Sequence, residues 1–171
     1  MNKNQNEKGE IALYDQGNLI GYAPVILIGG VKVLTSMQSK LAGLISAAQA
    51  DGVNLTLAAG LRTWDEQFKL RKQNVIDKSK SEDIEYLNTA PSNSFSPATG
   101  KPGWSNHQDG KAYDFNVSGK KYCYMWLVEN AHKFGFVRTV PSERWHWEHI
   151  PGADRFTYVL KTDPTWDGLI K

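Results

Sequence analysis

The sequence predicts a single α+β domain in which a small, mainly antiparallel sheet is flanked by helices. Three observations carry this prediction. Short apolar runs bounded by turn residues recur along the chain, longer stretches place apolar side chains at helical spacing, and the strand-like runs of the second half are neighbours in sequence. Neighbours of that kind pair antiparallel most readily, because a short turn is enough to join them. A length of 171 residues agrees, since it fits one domain comfortably and two only with difficulty.

Residues 1–10 are polar and expected to fray, which leaves 11–171 as the domain. Residues 11–14 and 19–23 are apolar runs around Asp15, Gln16, Gly17 and Asn18, the pattern of a hairpin. Residues 25–28 and 31–34 flank Gly29 and Gly30 and read either as a second extended pair or as a strand entering a helix. Thr35 or Ser36 can cap the helix that follows, where Met37, Leu41, Leu44, Ile45 and Ala48 share one face and Asp51 and Gly52 mark the end. Residues 54–59 alternate as a strand that Gly60 closes. A second helix runs from Thr63 or Trp64 to about Ile76, carrying Trp64, Phe68, Leu70 and Val75. Residues 77–103 contain Ser, Asn, Pro and Gly throughout, with Ile84, Tyr86 and Leu87 as their apolar cluster. So long a weakly patterned stretch inside a compact domain reads as a functional loop. Residues 111–117 read as a strand, 121–134 as a helix stopped by Gly135, 136–139 as a strand and 145–150 as the last strand. A C-terminal segment punctuated by Pro151, Gly152 and Pro164 follows.

Composition narrows the function classes. A hydrophobic share of 40% and a charged share of 22% are ordinary for a globular protein and exclude collagen-like, disordered and disulfide-scaffold classes. A chain of this length folds without a metal or crosslink, so any metal is expected to be functional. The 20 basic and 18 acidic side chains give a net charge of +2 and a pI of 8.6. That balance is too mild for a nucleic-acid protein, yet would not repel an anionic polymer such as cell wall. No window approaches the roughly 18 apolar residues of a membrane span. The polar start, MNKNQNEKGEIALYDQ, lacks the apolar region of a secretory signal, so synthesis in the cytoplasm without a signal peptide is expected, and likewise a monomer. The lone Cys123 reads as a small buried hydrophobe. Six Trp and seven Tyr, concentrated in the second half, read as core with some groove wall.

Candidate chemistry begins in the segment PGWSNHQDGKAYDF. Here His107 and Asp114 lie seven apart, with Gly110 between them to turn the chain and Asp114 on a strand. A neutral imidazole and a carboxylate both suit zinc, although this spacing alone is common by chance. The segment Ser142 to His149 adds His146 as a third ligand, leaving a zinc position open for water as in catalytic sites, and Glu143 three residues earlier as a proton acceptor. His149 and Glu148 compete for the same roles, and a surface strand alternating Trp with charge would look similar.

Ser105, His107, Gly110, Ala112 and Asp114 together form SxHxxGxAxD, and Glu143, Trp145 and His146 form ExxWH. Upstream, Arg62 is followed by Thr63 and by Gln67 five positions on; Pro102 and Gly103 precede the first motif. In this order and over about residues 55–150, these elements resemble the VanY-like family of zinc D,D-carboxypeptidases and related peptidoglycan peptidases. The resemblance implies one zinc per chain on His107, Asp114 and His146, Glu143 as general base, and Arg62 as the group that polarises the scissile carbonyl. It further implies a groove in which Ser105 and Gln67 line the peptide site; Trp104 and Trp145, which flank the ligands, are candidates for its walls. Leu61 departs from the aromatic residue common in relatives and bears on the wall beside Arg62.

The activity so implied is hydrolysis of peptidoglycan stem peptides, most like a D-alanyl-D-alanine carboxypeptidase. A phage-type endolysin endopeptidase, cutting L-Ala-D-Glu or a similar bond, would use the same residues, and residues 77–103 would decide by opening or closing one end of the groove. A non-catalytic wall-binding module is the contrasting reading, which a missing ligand or base would favour. On any of them the chain reaches the wall after release or export.

Overall fold

A computed structural model describes residues 2–153; the predicted C-terminal segment beyond Ala153, including Pro164, lies outside them. Two hairpins open the chain. In the first, β1 (Ile11–Asp15) pairs antiparallel with β2 (Asn18–Ala23). In the second, β3 (Val25–Ile28) pairs with β4 (Val31–Leu34) through Gly29 and Gly30, whose φ values of 58° and 83° suit a two-residue hairpin and are free of steric cost in glycine. Both readings left open for this stretch are therefore realised in part: the extended pair forms, and β4 then runs through a 3-10 turn (Thr35–Met37) into α1 (Gln38–Ala50). Neither Thr35 nor Ser36 caps α1. Its first flanking residue is Met37, and the preceding 3-10 turn serves as the lead-in.

The central sheet has the order β5-β6-β8-β7, all antiparallel: β5 (Leu57–Ala59), β6 (Ala112–Phe115), β8 (His146–His149) and β7 (Phe136–Val137). Each strand is shorter than the stretch the sequence predicts for it. One face carries Tyr113, Phe115, Phe136 and Trp147 into a core shared with Leu41 and Leu44 of α1 and Leu127 of α4 (Lys121–Asn130). Cys123 is buried in that core, as its composition suggested. After α4, a 3-10 turn ends at Gly135, left-handed at φ 81°, where a helix stop was predicted.

Two regions make contacts that the sequence does not announce. The polar N-terminus is tied to the start of α2 (Trp64–Asn74): the Asn4 amide donates to Asp65 at 2.7 Å, Asp65 N donates back at 3.1 Å, and Lys3 lies over the Trp64 ring. Residues 77–103 include a 3-10 turn (Lys78–Lys80), α3 (Ile84–Thr89) and a second 3-10 turn (Ser92–Ser94). They have a small core of their own, in which Leu87, Ala90 and Phe95 pack with Val75. Among the described residues no helix is long and apolar enough to cross a membrane.

Candidate active site

The site grows from one strand register. β6 and β8 pair with Asp114 opposite His146 and Ala112 opposite Glu148. Alternation along a strand then sends Asp114, His146 and Glu148 to one face of the sheet, while Tyr113, Phe115 and Trp147 enter the core on the other. Asp114 Oδ1 lies 3.1 Å from His146 Nδ1 and 3.3 Å from Nε2 of His107, which arrives on the loop before β6. All three residues are buried and their ligand atoms lie within 4.8 Å of one another. Two imidazoles and a carboxylate, drawn together where an uncompensated charge would be costly, make a donor set that fits zinc.

Each imidazole is oriented from behind. His107 Nδ1 is 2.9 Å from the carbonyl of Gly60, and His146 Nε2 is 3.0 Å from Glu148 Oε1, which also accepts the Thr139 hydroxyl at 2.6 Å. Acceptors at these positions engage His107 Nδ1 and His146 Nε2 and leave His107 Nε2 and His146 Nδ1 facing Asp114. Glu148 therefore stands behind His146, whereas Glu143 reaches its inner side, with Oε2 3.9 Å from Nδ1. His149 points to the opposite face of β8, against Phe136 and Gly135. Strand parity thus sends His146 and Glu148 to one face of β8 and His149 to the other.

Electrostatics follow the burial. Burial lowers His107 against the opposing pull of its bond to Asp114. Burial would raise the Asp114 carboxyl, but hydrogen bonds from His107 and His146 prevail and hold it well below the usual carboxylate range. Burial also opposes charge on His146, yet its bonds to Asp114 and Glu148 push it up to about 9. Glu148, which burial would raise, is drawn down to about 2 by His146, Thr139 and Asn106. Glu143 moves the other way: burial, reinforced by Asp114, raises it against the pull of His146 and Arg62, which makes it a better proton acceptor.

Arg62 enters from the segment between β5 and α2. Its N–H donates to the His107 carbonyl at 3.0 Å, Nη2 lies 3.4 Å from Asp114 Oδ2 and Nη1 donates to Gln67 Oε1 at 2.9 Å. A cavity of about 580 Å³ opens over these groups, with Arg62, His107, Asp114, Glu143 and His146 all on its lining. Ser105, Gln67, Trp104 and Trp145 line it too. Trp104 is 56% exposed, Trp145 is half-buried, and Ser105 Oγ accepts from His107 N at 3.4 Å. Gln67 is almost wholly buried, with its amide nitrogen donating to the Gly100 carbonyl at 2.8 Å. Leu61 is buried at 3% exposure and is not part of the lining, so it packs internally and does not wall the cavity beside Arg62. Sequence reasoning missed the Gly60 carbonyl, Thr139 and Arg71. Of these only Gly60 left a signal, a glycine closing a strand where another backbone comes close.

Comparison with known proteins agrees with this geometry. The family model described as VanY, D-alanyl-D-alanine carboxypeptidase, matches residues 31–152. The match begins upstream of the motif-bearing region, taking in β4 and α1, which supply core and no polar motif. A D-alanyl-D-alanine carboxypeptidase of Enterococcus faecalis (strain ATCC 700802 / V583) is 30% identical over 139 residues, covering 72% of this chain and 50% of the relative. The chain thus spans about half the length of that curated relative. Among solved structures, VanYB in complex with D-alanine-D-alanine is 28% identical with a TM-score of 0.61, covering 81% of this chain and 84% of that one. A variant of the vancomycin resistance D,D-pentapeptidase VanY in complex with Zn(II) is also 28% identical, with a TM-score of 0.60 and coverage of 81% and 86%. The LdcB LD-carboxypeptidase, at 21% identity and a TM-score of 0.57 over 85% of this chain and 78% of that one, shares the fold. The chain belongs to the VanY family.

Proposed function

We propose that this chain is a zinc-dependent carboxypeptidase that removes a terminal D-alanine from the stem peptides of bacterial peptidoglycan. One observation carries the reading: Glu143 and Arg62 converge, in a single cavity, on the buried set His107, Asp114 and His146. His107 Nε2, Asp114 Oδ1 and His146 Nδ1 would hold one zinc per chain. A bound zinc supplies Lewis-acid chemistry, making water more acidic and a carbonyl more electrophilic. Glu143, with its raised carboxyl, takes the proton of the attacking water and delivers it to the leaving amino group as the C–N bond breaks. Arg62 presents a fixed positive charge to the carbonyl oxygen as negative charge develops there; removing one such donor commonly costs about 100- to 1,000-fold in turnover. Every one of these groups comes from one chain, which suits a monomer.

The likeness to an Enterococcus carboxypeptidase and to VanYB bound to D-alanine-D-alanine supports the choice of substrate. Ser92 and residues 97–100 also line the cavity, so the segment from 77 to 103 borders the site in which the peptide would lie. The test is incubation with purified peptidoglycan and with a defined stem pentapeptide, with and without chelator, followed by mass spectrometry. Chelator-sensitive loss of one terminal alanine is expected. Cleavage inside the stem would make the chain an endopeptidase, and no cleavage would leave a wall-binding module.

A further inference from the structure

We infer that Gln67 and Arg71 act as a clamp that positions Arg62, by tying its guanidinium to the segment that walls the cavity. This rests on the reaction proposed above and adds to it a positioning role for two residues of α2. The starting point is an inversion of normal helix burial. The buried residues of α2 are Gln67 and Arg71, at 1% and 0% exposure, while Trp64, Phe68 and Leu70 are only half-buried. A helix that buries an amide and a guanidinium four residues apart, in place of its apolar side chains, has that face built for bonding.

The bonds account for the burial. Arg71 donates to three main-chain carbonyls, of Leu87 through Nε and of Thr99 and Ala90 at 2.7 Å each, and its guanidinium lies 3.8 Å from the Phe95 ring centre. Burial draws it down only to about 10, so it remains a cation at neutral pH. One turn earlier, Gln67 holds the next carbonyl along, Gly100, while its amide oxygen accepts from Arg62 Nη1 at 2.9 Å. Two neighbouring carbonyls of one cavity wall, Thr99 and Gly100, are thus gripped by two side chains of one helix face.

Arg62 is consequently held on two sides, by Gln67 at Nη1 and by Asp114 at Nη2. A planar fork fixed at two points has its direction set, and a donor already aimed where charge develops stabilises it without reorganisation. Gln67 has both ends of its amide engaged, so its influence on the reaction runs through Arg62.

The experiment uses the full chain reconstituted with zinc. Gln67→Met, close in volume but unable to make either bond, should keep its zinc and lower kcat on the stem pentapeptide about 10- to 100-fold, the scale of a misplaced catalytic group. KM should change by less than about twofold, and in an Arg62→Ala background Gln67→Met should have no further effect beyond about twofold, as for residues acting as one unit. Gln67→Glu, which keeps an acceptor toward Arg62, should retain a higher kcat than Gln67→Met and serves if the latter fails to fold. A raised KM with kcat intact would make Gln67 a substrate ligand, and additive effects with Arg62→Ala would make it structural; either overturns the clamp. Side-chain nitrogen NMR of Arg62 decides the matter without substrate. Restricted Nη rotation that is released in Gln67→Met supports the clamp, and unchanged resonances refute it even if no stem peptide is cut and the proposed function falls.

Discussion

Gly60→Ala tests how far the ligand geometry depends on a single backbone carbonyl. An alanine Cβ here would lie 2.3 Å from Lys32 O and 3.0 Å from Val31 Cγ1. Lys32 O also accepts from Leu61 N at 2.8 Å, so it belongs to the seam between β4 and β5 and is not free to swing aside. Carbon and oxygen that are not bonded rest no closer than about 3.3 Å, so the Gly60 segment must retreat by about 1 Å. Its carbonyl now stands 2.9 Å from His107 Nδ1, and a retreat of that size takes the contact out of hydrogen-bonding range. Losing the outer partner of a ligand imidazole lowers metal affinity by about 10- to 100-fold. Forcing a methyl group into a packed seam costs a further 1–3 kcal/mol or so of stability. Zinc affinity is measured by competition with a chromogenic chelator, and stability by thermal unfolding of chelator-treated protein. Wild-type zinc affinity in Gly60→Ala would refute the claim that this carbonyl orients His107.

Glu143→Gln should retain its zinc by elemental analysis and lose about 100- to 10,000-fold in turnover, since an amide cannot accept the proton. If Glu148→Gln were the silent enzyme and Glu143→Gln the active one, the assignment of base and ligand partner would be reversed. Glu66 closes the N-terminal cap of α2 and pairs with Lys32; although burial opposes them, these bonds lower its carboxyl below the ordinary 4.5. Its stabilising effect is therefore fully present above pH 4.5 and lost as pH falls through the depressed folded value. Urea titrations of wild type and Glu66→Gln should accordingly converge on acidification through that window, and a gap that persists to lower pH would contradict the linkage.

What the sequence reveals depends on whether the signal is local. The hairpin turn at Gly29 and Gly30, the helix stop at Gly135 and the motifs around His107, Asp114 and His146 are short and contiguous, so residue type and spacing suffice to find them. Residues 77–103 are opaque for the opposite reason. Their small core closes around Arg71, a charged residue that hydropathy places in solvent, and its three carbonyl partners lie 16 to 28 positions away. The N-terminal contact is hidden in the same way, because Asn4 and Asp65 are 61 positions apart. The choice between the Glu143–His146 and Glu148–His149 pairs needs the β6–β8 register. A shift of one residue would exchange His146 and Glu148 for Trp147 and His149 on the site face.

That register also argues that the fold precedes the metal. Asp114 and His146 are direct cross-strand partners in the sheet, held by its ladder and by the aromatic core on the opposite face. Only His107 depends on a loop, and that loop is tied down independently: Tyr14 N donates to the Gln108 carbonyl at 3.0 Å, Gly103 N to Gln108 Oε1 at 2.7 Å and Arg62 N to the His107 carbonyl at 3.0 Å. Zinc would then bind a site already assembled, adding stability by mass action and not by supplying the fold. Thermal melts after chelation should remain cooperative, and titrating zinc back should raise stability by about 1.4 kcal/mol for each tenfold excess of free metal over its Kd. If chelation abolished the cooperative transition, sheet and core would be insufficient alone, and the metal would have to be counted as part of the fold.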